Sequence, residues 1–139
     1  MKLFLDANII FTATYSSEGI SQTFFDLADA GYCSLCTSAF AVEEARRNLA
    51  LKGPAKLPGL EHLLTRLTIV PEPSPDKLQR ALSLPLALKD APIMAAALAC
   101  AADILITGDR RDFGHLFGKN VEGVLVLTPR EVLKRETQK

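Results

Sequence analysis

The fold of this chain is constrained most by five short apolar runs, set apart by stretches with helical spacing. Residues 2–5, 32–36, 67–70, 104–107 and 124–127 are too short for buried helices and rich in strand-forming side chains. Between them the spacing changes to helical. Residues 9–14 read as a helical turn. Ser21 is placed to cap a helix over residues 22–30, with Phe24, Phe25, Leu27 and Ala28 inward and Gly31 ending it. Ser38 caps a longer helix to about residue 51, with Phe40, Ala41, Ala45 and Leu49 on its inner side. Residues 60–64 and 76–84 read as further helices, the second entered through the stiff Pro71, Pro73 and Pro75. Asp90 opens an Ala-rich helix to about residue 101, with Pro92 tolerated in its first turn. Thr128 and Pro129 start the last helix. Strands alternating with helices imply a parallel sheet covered on both faces. With no repeat, low-complexity tract or linker, residues 1–139 read as one α/β domain.

Several classes of protein are disfavoured. Sixteen basic residues balance sixteen acidic ones, so binding nucleic acid by bulk charge alone is not expected. No charge-free apolar run reaches the length of a membrane span, and residues 3–5 are too few for the core of a signal peptide. The expectation is a cytoplasmic protein with no membrane partner. Three cysteines make a disulfide framework improbable, and the Cys33–Cys36 spacing falls in a strand, where the two side chains point to opposite faces. They read as small buried hydrophobes. There is no Gly-rich phosphate loop and no strained-serine elbow.

What remains is acidic. In open parallel sheets, ligands bind beyond the carboxyl ends of the strands. Asp6 follows the first strand and Asp109 the fourth. Glu44 lies in the helix after the second strand, and Asp90 begins the helix that leads into the fourth. Each has an ordinary reading as a cap, a turn residue or a solvated helix face. Jointly they place carboxylates at one sheet edge. Clustered carboxylates repel unless protonated or bridged by a cation, and carboxylate oxygens are the preferred ligands of Mg2+ and Mn2+. Two such ions roughly 3.5–4 Å apart can activate water and stabilise the leaving oxygen of an in-line displacement at phosphorus.

The blocks around these acids resemble a known family. Leu5-Asp6-Ala7-Asn8-Ile9 is similar to the opening of PIN-domain nucleases. Thr37-Ser38 with Glu44, Arg46, Arg47 and Leu49 resembles their second acidic segment, and Lys89-Asp90-Ala91-Pro92 their third. Ile106-Thr107-Gly108-Asp109 with Asp112-Phe113 resembles their fourth, and residues 126–131 their close. The resemblance spans nearly the whole chain. It implies a three-layer α/β/α sandwich around a five-stranded parallel sheet of order 3-2-1-4-5. It also implies Mg2+- or Mn2+-dependent cleavage of RNA, with Asp6, Glu44, Asp90 and Asp109 as catalytic metal ligands. Asn8 and Thr107 match supporting polar positions, and Asp112 a further acid reaching the site through water. Ala7 departs from the Thr or Ser often found there. Glu43 competes with Glu44; the spacing from Ser38 and the following Arg46, Arg47 and Leu49 favour Glu44. Many members of this size are VapC-type toxins held by an antitoxin peptide. An antitoxin partner is therefore one option, and a homodimer another.

Arg110 and Arg111, directly after Asp109, and Arg47, after Glu44, are the expected grips on RNA phosphates. Without Trp and with two Tyr, base stacking should be limited. The competing reading is a PIN-like scaffold that binds RNA or protein without cutting. Other Mg2+ enzymes fit less well: an Asp-x-Asp phosphatase would want Asp where Asn8 stands, and a phospho-acceptor domain an Asp where Pro71 and Glu72 stand.

Overall fold

The computed structural model describes residues 1–137. Its core is a sheet in which the buried run Leu3, Phe4 and Leu5 forms the central strand β1 (Lys2–Leu5). β2 (Ser34–Ser38) and β4 (Ile104–Ile106) flank it in parallel, β3 (Thr68–Val70) lies outside β2, and β6 (Val124–Leu127) outside β4. The strands stand in the order β3-β2-β1-β4-β6-β5, with helices on both sides.

The expected α/β sandwich is therefore the fold, and the order of its five parallel strands is as expected. The sixth strand is an addition. β5 (Asn120–Val121) pairs antiparallel with β6 through a tight turn in which Glu122 and Gly123 both have positive φ, of 51° and 100°. A two-residue strand carries no periodicity, and Glu is a poor residue for a turn that favours Asn-Gly. Asn120 compensates by accepting a 2.8 Å hydrogen bond from the Gly123 amide at its Oδ1.

The helices begin where caps exist. α1 (Ala7–Tyr15) starts at Asp6, and α2 (Ile20–Asp29) follows Gly19. Ser21 is thus not a cap: it is buried inside α2 and bonds Thr12 at 2.7 Å, since a buried hydroxyl needs a partner. α3 (Ala39–Lys52) is capped by Ser38, whose Oγ accepts from the Ala41 amide, as expected. Phe40 is an exception on that helix, 40% exposed, while Ala41, Ala45 and Leu49 are fully buried. The second strand also starts later than expected. Gly31, at φ 88°, ends the preceding helix, and Tyr32 stays in the turn, 75% exposed. α4 (Leu57–Leu64) and α5 (Pro75–Leu82) precede α6 (Ala91–Ala99), whose Ala-rich body packs close to β2, α3 and α5. α7 (Arg110–Phe113) is one turn, and α8 (Pro129–Thr137) closes the chain with a reciprocal cap between Thr128 and Glu131. Phe24, Phe25 and Leu60 are fully buried core, and Leu64 is partly buried against them. Among the described residues, no helix is long and apolar enough to cross a membrane.

The end of α6 carries a backbone cost. The Ala102 amide reaches back to the Ala97 carbonyl and the Ala101 amide to the Leu98 carbonyl, both at 3.1 Å. This closing motif puts the residue after the helix in the left-handed region, where glycine is usual; here it is Ala101, at φ 54° and exposed. Ala101→Gly should therefore stabilise the protein by about 1 kcal/mol, after allowing for the greater freedom of glycine in the unfolded chain. A rise in the urea midpoint checks this; a fall would contradict it.

Candidate metal centre

Two adjacent parallel strands end together at the site. The Asp6 amide donates to the Ile106 carbonyl at 3.0 Å, so the β1–β4 ladder runs on past β1 and sets Asp6 beside Thr107. Asp6 is only 4% exposed. Its Oδ1 accepts from the Ala7 amide at 2.7 Å, and its Oδ2 accepts from Thr107 Oγ1 at 2.8 Å and Asn8 Nδ2 at 3.2 Å. Asn8 also accepts from the Gly108 amide at 2.8 Å, and Thr107 Oγ1 from the Asp109 amide at 3.1 Å. Asn8 and Thr107 thus tie the end of β1 to the loop after β4 and orient one carboxylate. A hydroxyl at Ala7 is not needed for this network.

The loop then turns into α7. Asp109 caps it, accepting at 3.0 Å from the Asp112 amide. That single turn brings the Asp112 side chain back toward its cap. Carboxylate oxygens of Asp90, Asp109 and Asp112 all lie within 4.8 Å of one another. Asp112 was expected a water layer away; it stands directly in the cluster because the helix is capped by its neighbour. Asp90 occupies the cap position of α6 yet makes no capping bond with its side chain. Instead its Oδ2 is buried and meets no hydrogen-bond donor among the described residues.

Glu44 is half-buried, and its charge is felt at Asp6. Glu43 is exposed and turned to Arg46, at 3.4 Å, which also binds Glu61. Of the two, Glu44 is the more buried, and Glu43 is the one held in a surface ion pair. Lys89, which sequence reasoning passed over, ion-pairs with Asp112 at 3.0 Å. The only hint was its place next to Asp90.

The electrostatics follow from crowding. Burial, opposed by the Thr107 and Ala7 hydrogen bonds and reinforced by Glu44 and Asp109, pushes Asp6 up to about 6. Burial first, then Asp112 and Asp6, pushes Asp90 up to about 7. The hydrogen bond from Lys89 holds Asp112 below the usual carboxylate range. An all-carboxylate donor set with two under-satisfied buried oxygens, Asp90 Oδ2 and the Asp112 Oδ2 that faces only the Lys89 ammonium, matches what a hard divalent cation needs, and soft-metal ligands are missing from it.

The three arginines expected to meet phosphate, Arg47, Arg110 and Arg111, are all exposed. Arg110 borders a shallow groove of about 300 Å³ with Thr128, Arg130 and Lys134, adding basic residues not singled out before. A second groove, of about 530 Å³, runs from Asp109 and Gly108 past Asn8 to Thr12, Ser16 and Ser21.

Comparison with known proteins agrees with this architecture. A family model described as PIN domain matches residues 2–111. VapBC2 from Rickettsia felis, solved bound to a DNA fragment from their promoter, is similar with a TM-score of 0.67 at 17% identity, over 92% of this chain and 98% of that one. VapBC-1 from nontypeable Haemophilus influenzae gives 0.61 at 17%, over 94% and 99%. FitAcB from Neisseria gonorrhoeae gives 0.58 at 22%, over 92% and 98%. At these identities the likeness is one of fold. No curated protein matches the sequence.

The raised carboxyls fix the sign of a pH effect. Asp6 and Asp90 hold their protons more tightly folded, at about 6 and about 7, than at their ordinary value of 3.8. Their contribution to stability is full below pH ~3.8 and is lost as pH rises through 6 to 7. Chelated protein should therefore be more stable at pH 5 than at pH 8, by on the order of 4 kcal/mol. Mn2+ at pH 8 should recover much of that difference. Asp90→Asn should flatten the profile and raise stability at pH 8. Urea melts at the two pH values check this, and a profile rising toward pH 8 would contradict it.

Proposed function

Because the chain belongs to the PIN domain family, we propose that it is a Mg2+- or Mn2+-dependent endoribonuclease, and the toxin of a toxin–antitoxin pair. The observation that carries this reading is the buried Asp90 Oδ2, without a donor among the described residues, inside a cluster of aspartates at the carboxyl edge of the sheet. Such crowding costs stability with the carboxylates ionised, and a bound cation offsets it. A silent scaffold gains nothing from it.

Asp6, Asp90 and Asp109 are proposed as the residues that hold the cation, with Asp112 and Glu44 completing the acidic ring. A divalent cation held there would supply a water of lowered pKa and stabilise the charge on the leaving oxygen. Thr107 and Asn8 fix the Asp6 carboxylate in one rotamer, so its second oxygen does not wander. Lys89 neutralises Asp112 and limits repulsion beside Asp90. Arg110 and Arg111 grip phosphates next to the cut, with Arg47 on the Glu44 side. The groove from Asp109 past Gly108 and Asn8 to Ser16 opens beside the acids and is the path proposed for a single strand. The likeness in fold to two VapBC structures, together with the VapC-type resemblance of the sequence, favours the toxin over a housekeeping role, with an antitoxin as partner.

The purified protein with Mn2+ is expected to cut single-stranded RNA, and chelation to stop it. Asp6→Asn, Asp90→Asn and Asp109→Asn should each lose more than the roughly 10–100-fold typical of a residue that only orients a ligand. Thr107→Ala should fall within that range through weaker metal binding. Glu44→Gln should cost far more activity than Glu43→Gln. Full activity in any of the three aspartate variants would remove that residue from the site. Equal losses in the two glutamate variants would undo the choice of Glu44.

A further inference from the structure

Away from the acids, two thiols from distant parts of the chain face each other. Cys36 lies on β2, paired across the sheet with Phe4 and Thr68. Cys100 follows the last residue of α6, at the end opposite Asp90; nine helical residues, roughly 13 Å, separate the two. Their sulfurs stand 3.9 Å apart although the residues are 64 positions apart in sequence. Cys36 is buried, while Cys100 is partly exposed. The Lys2 ammonium is anchored beside them, donating to the Cys100 carbonyl at 2.8 Å.

We infer that Cys36 and Cys100 form a reactive dithiol, which hydrogen peroxide converts to an intramolecular disulfide without involving the acidic edge. The roles divide by access and by charge. Cys100 is the sulfur a small oxidant can reach. The hydrogen bond from Cys36, with Lys2 helping against burial, lowers the Cys100 thiol to about 7. The same contact and burial push Cys36 up, so it stays the protonated partner. Cys33 sits elsewhere, in an apolar pocket with Leu3, Phe24 and Tyr32.

The chemistry balances with one peroxide. The Cys100 thiolate attacks a peroxide oxygen; an S–O bond forms, the O–O bond breaks, and the departing oxygen takes a proton and leaves as water. Cys36 sulfur then attacks the Cys100 sulfenic acid. An S–S bond forms, the S–O bond breaks, and the leaving hydroxide takes the Cys36 proton to become a second water. Two thiols are oxidised by two electrons, and the peroxide is reduced to two waters. Closing 3.9 Å to the ~2.05 Å of a disulfide calls for side-chain rotation. Cys100, partly exposed just after the last residue of α6, is the side with room for it. The new bond would close the loop of residues 36–100, which carries α3, α4, β3, α5 and α6. Its consequence is a longer-lived fold rather than a change at the acids.

The whole protein is treated with hydrogen peroxide, quenched and mapped as peptides without reduction. The expected product is a Cys36–Cys100 cross-link, two hydrogen atoms lighter, reversed by dithiothreitol, with a melting temperature higher by roughly 5 °C or more. Cys33→Ser should give the same cross-link. In Cys36→Ser, Cys100 should stop at a sulfenic acid that dimedone captures. A cross-link through Cys33 would overturn the inference. So would wild-type protein in which Cys36 and Cys100 both remain alkylatable after peroxide treatment.

Discussion

Like charges held close together in a desolvated place have to be met by something, and this requirement organises the carboxyl edge of the sheet. Asp6 is almost wholly buried, and Asp90 nearly so. Among the described residues neither is ion-paired with a cationic side chain, and Lys89, next to Asp90 in the chain, is spent on Asp112. The protein meets part of the cost with neutral donors, through Thr107, Asn8 and the Ala7 amide on Asp6. It leaves the rest unmet, at Asp90 Oδ2. A structure that needed these acids only for folding would replace them with amides or caps, because an unmet buried acceptor costs about 1–3 kcal/mol.

The fold supplies the crowding through strand order. β1 and β4 are neighbours although about a hundred residues separate Asp6 from Thr107. Parallel pairing makes both strands end at the same edge, so the residue after each arrives in the same place. Three short devices do the rest: the cap of α7 folds Asp112 onto Asp109, the start of α6 presents Asp90, and the helix after β2 carries Glu44, whose charge adds to the rise at Asp6. The wider sheet, with its buried Leu3, Phe4, Leu5, Leu105 and Ile106, serves as the rigid base for these loops.

Much of this was legible in the sequence because it rests on local rules. The apolar runs marked the parallel strands, Ser38 and Thr128 acted as the caps their positions implied, and the acidic blocks fell at strand ends. What was not legible depends on contacts between distant segments or on elements too small to carry a period. Ser21 looked like a cap and became a buried partner of Thr12, a choice made by the packing of two helices. Phe40 had the spacing of an inner residue but faces outward. The β5 strand has two residues and a Glu in its turn, so nothing announced it. Asp112 read as peripheral because the cap that turns it inward is tertiary in effect though local in bonding. Cys36 and Cys100 lie on separate elements, and no spacing rule joins them.

The central claim is that these carboxylates exist to hold a divalent cation. Anomalous diffraction from a crystal soaked in Mn2+ tests it most directly. A peak bounded by carboxylate oxygens of Asp6, Asp90 and Asp109, with Asp90 Oδ2 among the nearest atoms, is the expected result. A fully soaked crystal with no peak among these residues, or with Mn2+ bound only elsewhere on the surface, would contradict it.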